Sequence, residues 1–520
     1  MEPEKKEVGI KDYPRVMINF FPEAPPLKKI LDKTMVNIRY ALILPFAFAH
    51  IYWDPKISEI VYEIEEPYLS DDERKKKDEI IVAMENMINL GEIIEKDREI
   101  ILKYIDRMLK ILAIELGIDL PYESYKKIYY YLCKDFIGFN EIEPLLRDFF
   151  VEDIECNGLN TPVYIVHRIY RNMKTNVQFN DVNKLANFVE KLAQRAERYI
   201  SYANPILDGS LPDGSRVNAT YAKDITSRGP TFTIRKFTKT PWTPTELVSF
   251  NTLSPEMVAY IWLLIEHKMN ILITGGTSSG KTTLLNAAAF FIPPEARVVS
   301  IEDTLELNLP RENWLPSVAR TSTGLGNVGE IDLFTLLRSS FRQNPDYVIV
   351  GEVRGKEASV LFQGMASGHS SMSTMHADSV DTVVKRLETP PISLSPTLMN
   401  VLDCVCIMTH AIVKKQETRK LKEIVEVINI TSDGIALTNT PFLWNPSDDN
   451  FYFKKNSKIF EKIAKRDGLK LGDLEMEFRR RAQLIYTLYQ KKVFGFKEFQ
   501  NVVNEYYKKP EFVLKKYGIH

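Results

Sequence analysis

The sequence predicts an α/β protein whose carboxyl-terminal half is a doubly wound, mostly parallel sheet. After residue 250, short apolar runs with strand composition alternate with amphipathic helical segments, a pattern typical of parallel sheets covered by helices on both faces. A glycine-rich turn follows the first of these apolar runs. The length of 520 residues exceeds one ordinary domain, so we expect roughly two to four domains.

Four segments follow from changes of pattern along the chain. Residues 1–119 predict a mostly helical module with some strands, because strand-like alternation over residues 35–70 gives way to helical spacing. Over residues 120–238 the pattern predicts a smaller α/β domain, with two helical stretches first and then short strands around a helix at Val182–Tyr199. Residues 239–250 contain two prolines and have the composition of a linker. Residues 251–520 hold the alternating strands and helices of the predicted parallel sheet.

The charge and the cysteines exclude several classes of protein. Lys and Arg number 68 and Asp and Glu number 69, a net charge of -1, unlike the strongly basic field of a dedicated nucleic-acid binder. We therefore expect no nucleic-acid partner, although the predicted helical tail over residues 469–507 is rich in Lys and Arg. The four cysteines include no C-x-x-C pair, so neither a structural zinc site nor a disulfide framework is expected.

The most apolar stretch is Tyr40–Trp53, which contains Pro45 and His50. It is shorter than the about 20 apolar residues that cross a bilayer, and we expect a buried strand pair instead. The polar start of the chain does not resemble a secretory signal, so we expect a cytoplasmic protein that contacts the membrane peripherally. Candidates for lipid contact near the N-terminus are Phe20, Phe21, Lys28 and Lys29.

A phosphate-binding loop is predicted at residues 275–283, where GGTSSGKTT matches G-x-x-x-x-G-K-[ST] between a predicted strand and a predicted helix. Glycines let backbone N–H groups approach phosphate oxygens, and the helix N-terminus adds its positive dipole end. Lys281 would neutralise the β- and γ-phosphates of ATP, and Thr282 would offer its hydroxyl to Mg²⁺. The predicted nucleotide contacts are Gly275, Gly276, Thr277, Ser278, Ser279, Gly280, Lys281, Thr282 and Thr283.

A second acidic position lies in the segment DYVIVGE. Ligands of a parallel sheet bind at the carboxyl ends of its strands. Asp346 begins this predicted strand and Glu352 follows its end. We therefore assign Glu352 to Mg²⁺ or its water shell and expect Asp346 to lie at the opposite edge.

A third acidic group, IEDTLE, follows the strand ARVVS and also falls at a carboxyl end. Glu302, Asp303 and Glu306 could order the waters of Mg²⁺ or activate the attacking water, and their spacing alone does not choose among them. Glu302 and Asp303 are therefore candidate metal-site residues. His369 and His376 flank the strand SSMSTM and are candidate catalytic residues. We expect His376, at the carboxyl end, to hydrogen-bond the γ-phosphate.

These four elements, in this order, resemble the boxes of the secretion-type ATPase superfamily, whose members drive type II secretion, type IV pilus assembly and the archaellum. Gly275–Thr283 resembles its Walker A box, Ser300–Leu307 its Asp box, Val348–Gly355 its Walker B box and Gly368–Asp378 its His box. The resemblance implies a RecA-like P-loop NTPase domain preceded by a smaller, PAS-like α/β domain. It also implies ATP and Mg²⁺ as cofactors and Glu306 as the catalytic glutamate.

The resemblance extends upstream. LPDGSRV and FTIRKF are similar to the family's second N-terminal domain, whose arginines reach the nucleotide of the same or a neighbouring subunit, which implies catalytic roles for Arg216 and Arg235. Arg338 and Arg342 look like the family's arginines just before the Walker B box, and the resemblance implies nucleotide contact. The chain lacks the tetracysteine motif usual in bacterial assembly ATPases. Its N-terminal segments look like the archaeal branch, which includes the archaellum motor and archaeal pilus ATPases.

The function implied by the resemblance is an ATP-hydrolysing ring motor, expected as a hexamer, at the inner face of the membrane. Its expected partner is an integral membrane platform protein, and its expected task is assembly of a pilin-like filament or type II-like secretion. A nucleic-acid translocase or conjugation-type ring ATPase is the alternative, because a ring pore can be basic locally. A scaffold without turnover is disfavoured by the intact set of Lys281, Glu306, Glu352 and His376.

Overall fold

The computed structural model describes residues 13–25, 27, 30, 32–87, 98–237, 240–320, 329–413, 416–454 and 456–519. The chain divides into two compact units, Met1–Phe237 and Thr238–His520. Each unit is built on a nine-stranded sheet formed by described residues. The predicted α/β class and the mostly parallel sheet in the carboxyl-terminal half are confirmed.

The first unit combines a mixed sheet with helices. Its strands are β1 (Asn37–Ile43), β2 (Ala47–Asp54), β3 (Glu59–Glu65), β4 (Val151–Cys156), β5 (Pro162–His167), β6 (Arg171–Gln178), β7 (Ile206–Ser210), β8 (Arg216–Thr220) and β9 (Thr231–Arg235). Its helices are α1 (Asp71–Met87), α2 (Arg98–Glu115), α3 (Tyr122–Phe136), α4 (Glu143–Arg147) and α5 (Val182–Arg195). The strand order is β1-β2-β3-β6-β5-β4-β9-β8-β7, so one sheet runs across the boundary that the sequence analysis placed between residues 119 and 120.

The apolar stretch Tyr40–Trp53 forms the predicted strand pair, since it makes up most of the β1–β2 hairpin. Near the N-terminus, Phe20 is only 4% exposed and packs in the core of the first unit. Its assignment to lipid contact is therefore wrong, because this ring is not accessible. Phe21 is 59% exposed, while Lys28 and Lys29 lie outside the described residues. Across the part of the chain that the structure describes, no helix is long and apolar enough to cross a membrane.

The second unit contains the parallel sheet. Its strands are β10 (Ile271–Gly275), β11 (Val298–Glu302), β12 (Trp314–Val318), β13 (Tyr347–Val350), β14 (Ser370–Met375), β15 (Cys404–Val413), β16 (Gln416–Ile430), β17 (Ala436–Asn445) and β18 (Asn450–Phe453). The order is β12-β11-β13-β14-β10-β15-β16-β17-β18. The strands from β12 to β15 in this order pair in parallel, and the last three are added antiparallel.

Helices cover both faces of the second sheet. They are α6 (Pro244–Ser249), α7 (Pro255–Glu266), α8 (Lys281–Ala289), α9 (Leu333–Ser340), α10 (Glu357–Ala366), α11 (Val380–Glu388), α12 (Pro396–Met399), α13 (Lys458–Asp467), α14 (Leu471–Gln490), α15 (Phe496–Lys508) and α16 (Pro510–Lys516). Because side chains alternate along a strand, Ile271 and Ile273 of β10 enter one core and Leu272 enters the other. This arrangement places the carboxyl ends of six neighbouring strands along one edge.

The second half of the predicted linker, residues 239–250, is packed into the second unit. Thr243 caps α6 in a capping box with Glu246. The buried Thr245 hydroxyl donates to the Val493 carbonyl at 2.6 Å, and the Thr243 hydroxyl donates to the Phe494 carbonyl at 3.3 Å. The segment from Thr243 onward is therefore held by the turn between α14 and α15 and is not a free tether.

Candidate functional site

The predicted phosphate-binding loop joins the end of β10 to the start of α8. Gly275 has φ +150, and a Cβ there would lie 2.4 Å from the Met408 carbonyl oxygen on the neighbouring strand β15. Gly280 has φ +95, in the left-handed region that favours glycine. Both glycines are therefore required by local geometry, and they place the first turn of α8 beside the loop.

The loop and the first turn of α8 carry hydroxyl side chains. The Ser279 hydroxyl donates to the Gly276 carbonyl at 2.8 Å, while Thr277 and Ser278 are exposed at the tip. Thr282 and Thr283 lie in the first turn of α8 and are half-buried. Backbone N–H groups at such a helix start are suited to phosphate oxygens.

Lys281 folds back over the loop. Its Nζ donates to the carbonyls of Gly275 at 3.1 Å and Gly276 at 2.9 Å, and it lies 3.4 Å from His376 Nδ1. Burial lowers the pKa of Lys281, whereas the nearby Glu352 carboxylate acts in the opposite direction. The arrangement holds a cation where a phosphate chain on the loop would need one.

His376 connects the loop lysine to the acid that follows β13. Its Nε2 lies 3.1 Å from Glu352 Oε1, although the contact is not aligned as a hydrogen bond. The other carboxylate oxygen of Glu352 accepts from Arg354 Nη2 at 2.7 Å, and the same guanidinium lies 3.7 Å from Asp303. Burial lowers the pKa of His376, so the neutral ring can accept from Lys281 at Nδ1.

Glu302 ends β11 and points into the same edge. Its Oε1 accepts from the backbone N–H groups of Glu306 and Leu307, each at 3.0 Å. Burial raises the pKa of Glu302 to about 7. Glu306 itself is exposed, and its charge acts to raise the pKa of Lys281. Glu302 therefore shapes the turn that presents Glu306 to the phosphate side.

The site fits a nucleotide with Mg²⁺. Thr274 Oγ1, Glu302 Oε2 and Glu352 Oε1 are buried and have no hydrogen-bond partner within the described residues, and buried polar atoms without partners require an explanation. Three or more acids, cysteines and histidines do not come close enough in the described segments to hold a metal alone. Mg²⁺ in phosphate sites usually takes one or two carboxylates together with phosphate and water oxygens, and the oxygens present suit that role.

Two predicted positions lie at the opposite edge of the sheet. Asp346 precedes β13, where it accepts from the backbone N–H of Arg297 at 2.9 Å. His369 precedes the amino end of β14, and its ring packs on Phe341 with centroids 4.8 Å apart. Because β10 and β14 are parallel, the structure brings His376 to the loop but not His369. Within one chain His369 therefore lies at the opposite edge from the loop, and its catalytic role stays a prediction.

The predicted arginines are not brought to the loop within the second unit. Arg338 lies in the last turn of α9 and Arg342 in the short 3-10 turn that leads to the amino end of β13. Both side chains are exposed. Because the phosphate-binding loop lies at the carboxyl ends, nucleotide contact by these arginines within one chain is not supported.

Arg216 and Arg235 lie in the first unit, directly opposite each other on β8 and β9. Buried residues alternate with them along both strands, so both arginines stand on the exposed face. Arg216 pairs with Asp208 at 3.3 Å, and Arg235 pairs with Asp153 at 3.1 Å. The structure thus brings the two predicted arginines together.

Two residues at the site were missed by sequence reasoning. Arg354 joins Glu352 to Asp303, and its place two residues after Glu352 was a usable signal. Arg419 comes from β16, and its Cδ would lie 3.4 Å from a Cβ built on Gly280. No sequence pattern indicates Arg419, because only the pairing of β16 with β15 carries it to the loop.

Comparison with known proteins gives a consistent set of similarities. The family model described as "Type II/IV secretion system protein" matches residues 140–430. The chain is 32% identical to the uncharacterized protein MJ0900 of Methanocaldococcus jannaschii, over 98% of this chain and 96% of the relative. It is 33% identical to the conjugal transfer protein TrbB of Rhizobium radiobacter, over 44% of this chain and 68% of the relative. The X-ray structure of the Legionella pneumophila ATPase DotB covers 64% of this chain and 84% of its own, with 15% identity and a TM-score of 0.39.

Proposed function

The chain belongs to the type II/IV secretion system protein family, and on that premise we propose that it is an ATP-hydrolysing motor. It powers assembly of a pilin-like surface filament, as in an archaellum or type IV pilus, or a type II-like export step. It works from the cytoplasmic side on an integral membrane platform protein. ATP and Mg²⁺ are its cofactors.

The observation that carries this proposal is the chain of contacts from Lys281 through His376 to Glu352. Phosphoryl transfer needs charge neutralisation and an oriented water more than covalent chemistry. Lys281 lies on the phosphate-binding loop, Glu352 has a buried oxygen suited to Mg²⁺ or its water, and His376 contacts both. Glu306, on the turn shaped by Glu302, is the proposed base for the attacking water.

Replacement of the loop lysine tests this function. Lys281→Ala should lower phosphate release from ATP by about 10²-fold or more, because a preorganised cation at the developing charge is lost. Lys268→Ala is the matched control, since Lys268 is an exposed lysine 3.6 Å from Asp346 at the opposite edge. Normal turnover in Lys281→Ala, with a melting temperature equal to that of the control, would reject the proposed ATP site.

We also propose a cyclic, hexameric assembly in which Arg216 and Arg235 act across a subunit boundary. Their support is their side-by-side position on an exposed face of the first unit. An arginine supplied in trans is typically worth about 10³–10⁵ in rate. Mixed rings of Lys281→Ala and Arg216→Ala subunits should regain activity that each variant lacks alone, and no recovery in verified mixed rings would reject the interface mechanism.

A second candidate, a conjugation-type ring ATPase, is favoured by the similarity to TrbB. The balanced charge of the chain supports it less, because backbone binding to nucleic acid depends on neutralising phosphates. Stimulation of ATP hydrolysis by single-stranded DNA, absent with a polyanion such as heparin, would favour this candidate. Stimulation by membrane vesicles with the platform protein would favour the filament motor.

A further inference from the structure

The carboxyl-terminal helices carry an excess of positive charge. Residues 456–520 contain 15 Lys and Arg against 8 Asp and Glu, whereas the whole chain contains 68 and 69. These residues follow the part of the chain matched by the family model, which ends at residue 430. The excess is thus a property of the added helices α13–α16 and not of the matched region.

Six exposed lysines are concentrated at the end of α14, the end of α15 and along α16: Lys491, Lys492, Lys508, Lys509, Lys515 and Lys516. We call them the lysine surface. Phe512 is 54% exposed, and residues three and four apart on a helix are neighbours. Phe512, Lys515 and Lys516 therefore share one face of α16, while Val513 and Leu514 are buried against the core of the second unit.

Contacts join the parts of this surface. The Tyr517 ring has Lys491 Nζ 5.0 Å and Lys516 Nζ 5.9 Å from its centroid, so the end of α14 lies beside the end of α16. The lysines at the end of α14 and the end of α16 are thus neighbours in space, and the half-buried Tyr517 ring lies between them.

Acidic side chains offset only part of this charge. Glu505 pairs with Lys516 at 3.1 Å, and Glu511 pairs with Arg480 at 3.1 Å. Within the described residues, Lys508, Lys509 and Lys515 form no ion pair with an acid. Glu498 also acts on the Tyr517 ring. The six lysines therefore face Glu498 and Glu505, while Glu511 is paired with Arg480, and the surface keeps a net positive charge.

We propose that the lysine surface docks on an anionic membrane surface. Lysine stems can lie along apolar material while their ammonium groups reach headgroup phosphates, and an exposed aromatic ring can enter the boundary layer. Basic residues near such a surface are each attracted by it. An acidic protein would use the lysines but would give Phe512 no role. The proposal rests on the proposed function in placing the chain at a membrane, and it names the face that meets it.

Vesicle co-sedimentation without nucleotide tests the docking face, using vesicles of phosphatidylglycerol with phosphatidylcholine and of phosphatidylcholine alone. The full chain should bind the anionic vesicles, and less strongly at high salt. Combining Lys508→Gln, Lys509→Gln, Lys515→Gln and Lys516→Gln should weaken binding by about 10²-fold or more, since each basic residue contributes roughly a factor of five. Phe512→Ser should cause a smaller loss that persists at high salt.

The control removes the same charge from exposed lysines outside this surface, at Lys75, Lys103, Lys223 and Lys454, and should bind nearly as the unmodified chain does. Equal binding of the two quadruple variants would overturn the proposal. Equal binding to neutral and anionic vesicles would also overturn it. Retention on polyglutamate without vesicle binding would assign the surface to an acidic protein instead. Because no nucleotide is present, failure of ATP hydrolysis would not alter these results.

Discussion

Two sets of buried carboxylates in the second unit differ in how their oxygens are satisfied. Glu426, on β16, is fully buried, and it accepts from the Tyr260 hydroxyl at 2.5 Å and from the Asn439 amide at 2.6 Å. Glu302 and Glu352 lie at the carboxyl ends of β11 and β13, and each keeps one buried oxygen with no hydrogen-bond partner in the described residues. All three carboxylates are inside the protein, yet only Glu426 has hydrogen-bond donors for both of its oxygens. We call Glu426 with its donors the complete set, and Glu302 with Glu352 the incomplete set.

The difference distinguishes a structural carboxylate, Glu426, from carboxylates of a ligand site, Glu302 and Glu352. Glu426 also accepts from the backbone N–H groups of Lys458 and Ile459 at the start of α13, where a negative charge is favoured by the helix dipole. It therefore fixes α13 to the sheet with its hydrogen bonds already made. Leaving a buried acceptor unsatisfied costs free energy, so the free oxygens of Glu302 and Glu352 are best explained by a ligand that completes them.

The largest expected effect lies at Glu306, whose backbone N–H donates to Glu302 of the incomplete set. Glu306→Gln should keep ATP binding and lower turnover by roughly 10²–10⁴-fold, the usual contribution of a general base. Asp346→Asn is the matched control, because this acid lies at the other edge of the same sheet and accepts from the Arg297 backbone. Nucleotide titration and phosphate release measure the two quantities, and equal losses in both variants would break the contrast between the two edges.

Much of this edge could be predicted because strand polarity does most of the positioning. Once a strand precedes the loop, its carboxyl end must lie beside the ends of parallel neighbours, so Glu352 and His376 could be placed from their positions after apolar runs. The same rule places His369, which precedes its strand, at the opposite edge. Arg419 could not be placed, because its position depends on pairing between β15 and β16.

The N-terminal side was less predictable, because its packing depends on contacts distant in the sequence. Phe20 resembles an exposed leader residue by composition, but its ring lies 3.9 Å from the Arg98 guanidinium carbon within the core of the first unit. The proline-containing segment 239–250 has the composition of a linker, yet Thr245 bonds to Val493, far along the chain. Composition does not report such contacts.

The next effect concerns the complete set. Glu426→Ala should lower the free energy of unfolding by about 3–5 kcal/mol, because the donors around it lose a shared acceptor and remain buried. Glu423→Ala, on the same strand beside Lys422, should cost less than about 1 kcal/mol. Denaturant unfolding measures both. Turnover per folded molecule should be retained in Glu426→Ala, and a specific loss of turnover without destabilisation would mean that Glu426 is functional.

The smallest effect concerns Glu302, whose replacement should raise the free energy of unfolding, whereas replacement of Glu426 lowers it. Its pKa of about 7 lies above the ordinary value of 4.5 because burial penalises the ionised form. A raised pKa gives stability that is fully present below pH 4.5 and is lost as pH rises through 7. Glu302→Gln keeps an oxygen for the backbone N–H groups of Glu306 and Leu307 but cannot ionise. It should therefore be more stable than the unmodified chain at pH 8 by about 1–3 kcal/mol and nearly equal to it at pH 4.5.

Melting temperatures at the two pH values, without nucleotide, measure this difference. Equal stability at pH 8 would show that burial does not penalise the Glu302 carboxylate. Mg²⁺ and ATP should then stabilise the unmodified chain more than the variant, because only the ionised carboxylate offers a full negative charge to the metal or its waters. A variant that is more stable without ligand, and that gains less stability from Mg²⁺ and ATP, would show that Glu302 destabilises the empty site and stabilises the loaded one. Glu426, whose oxygens already accept hydrogen bonds, imposes no such cost on the empty protein.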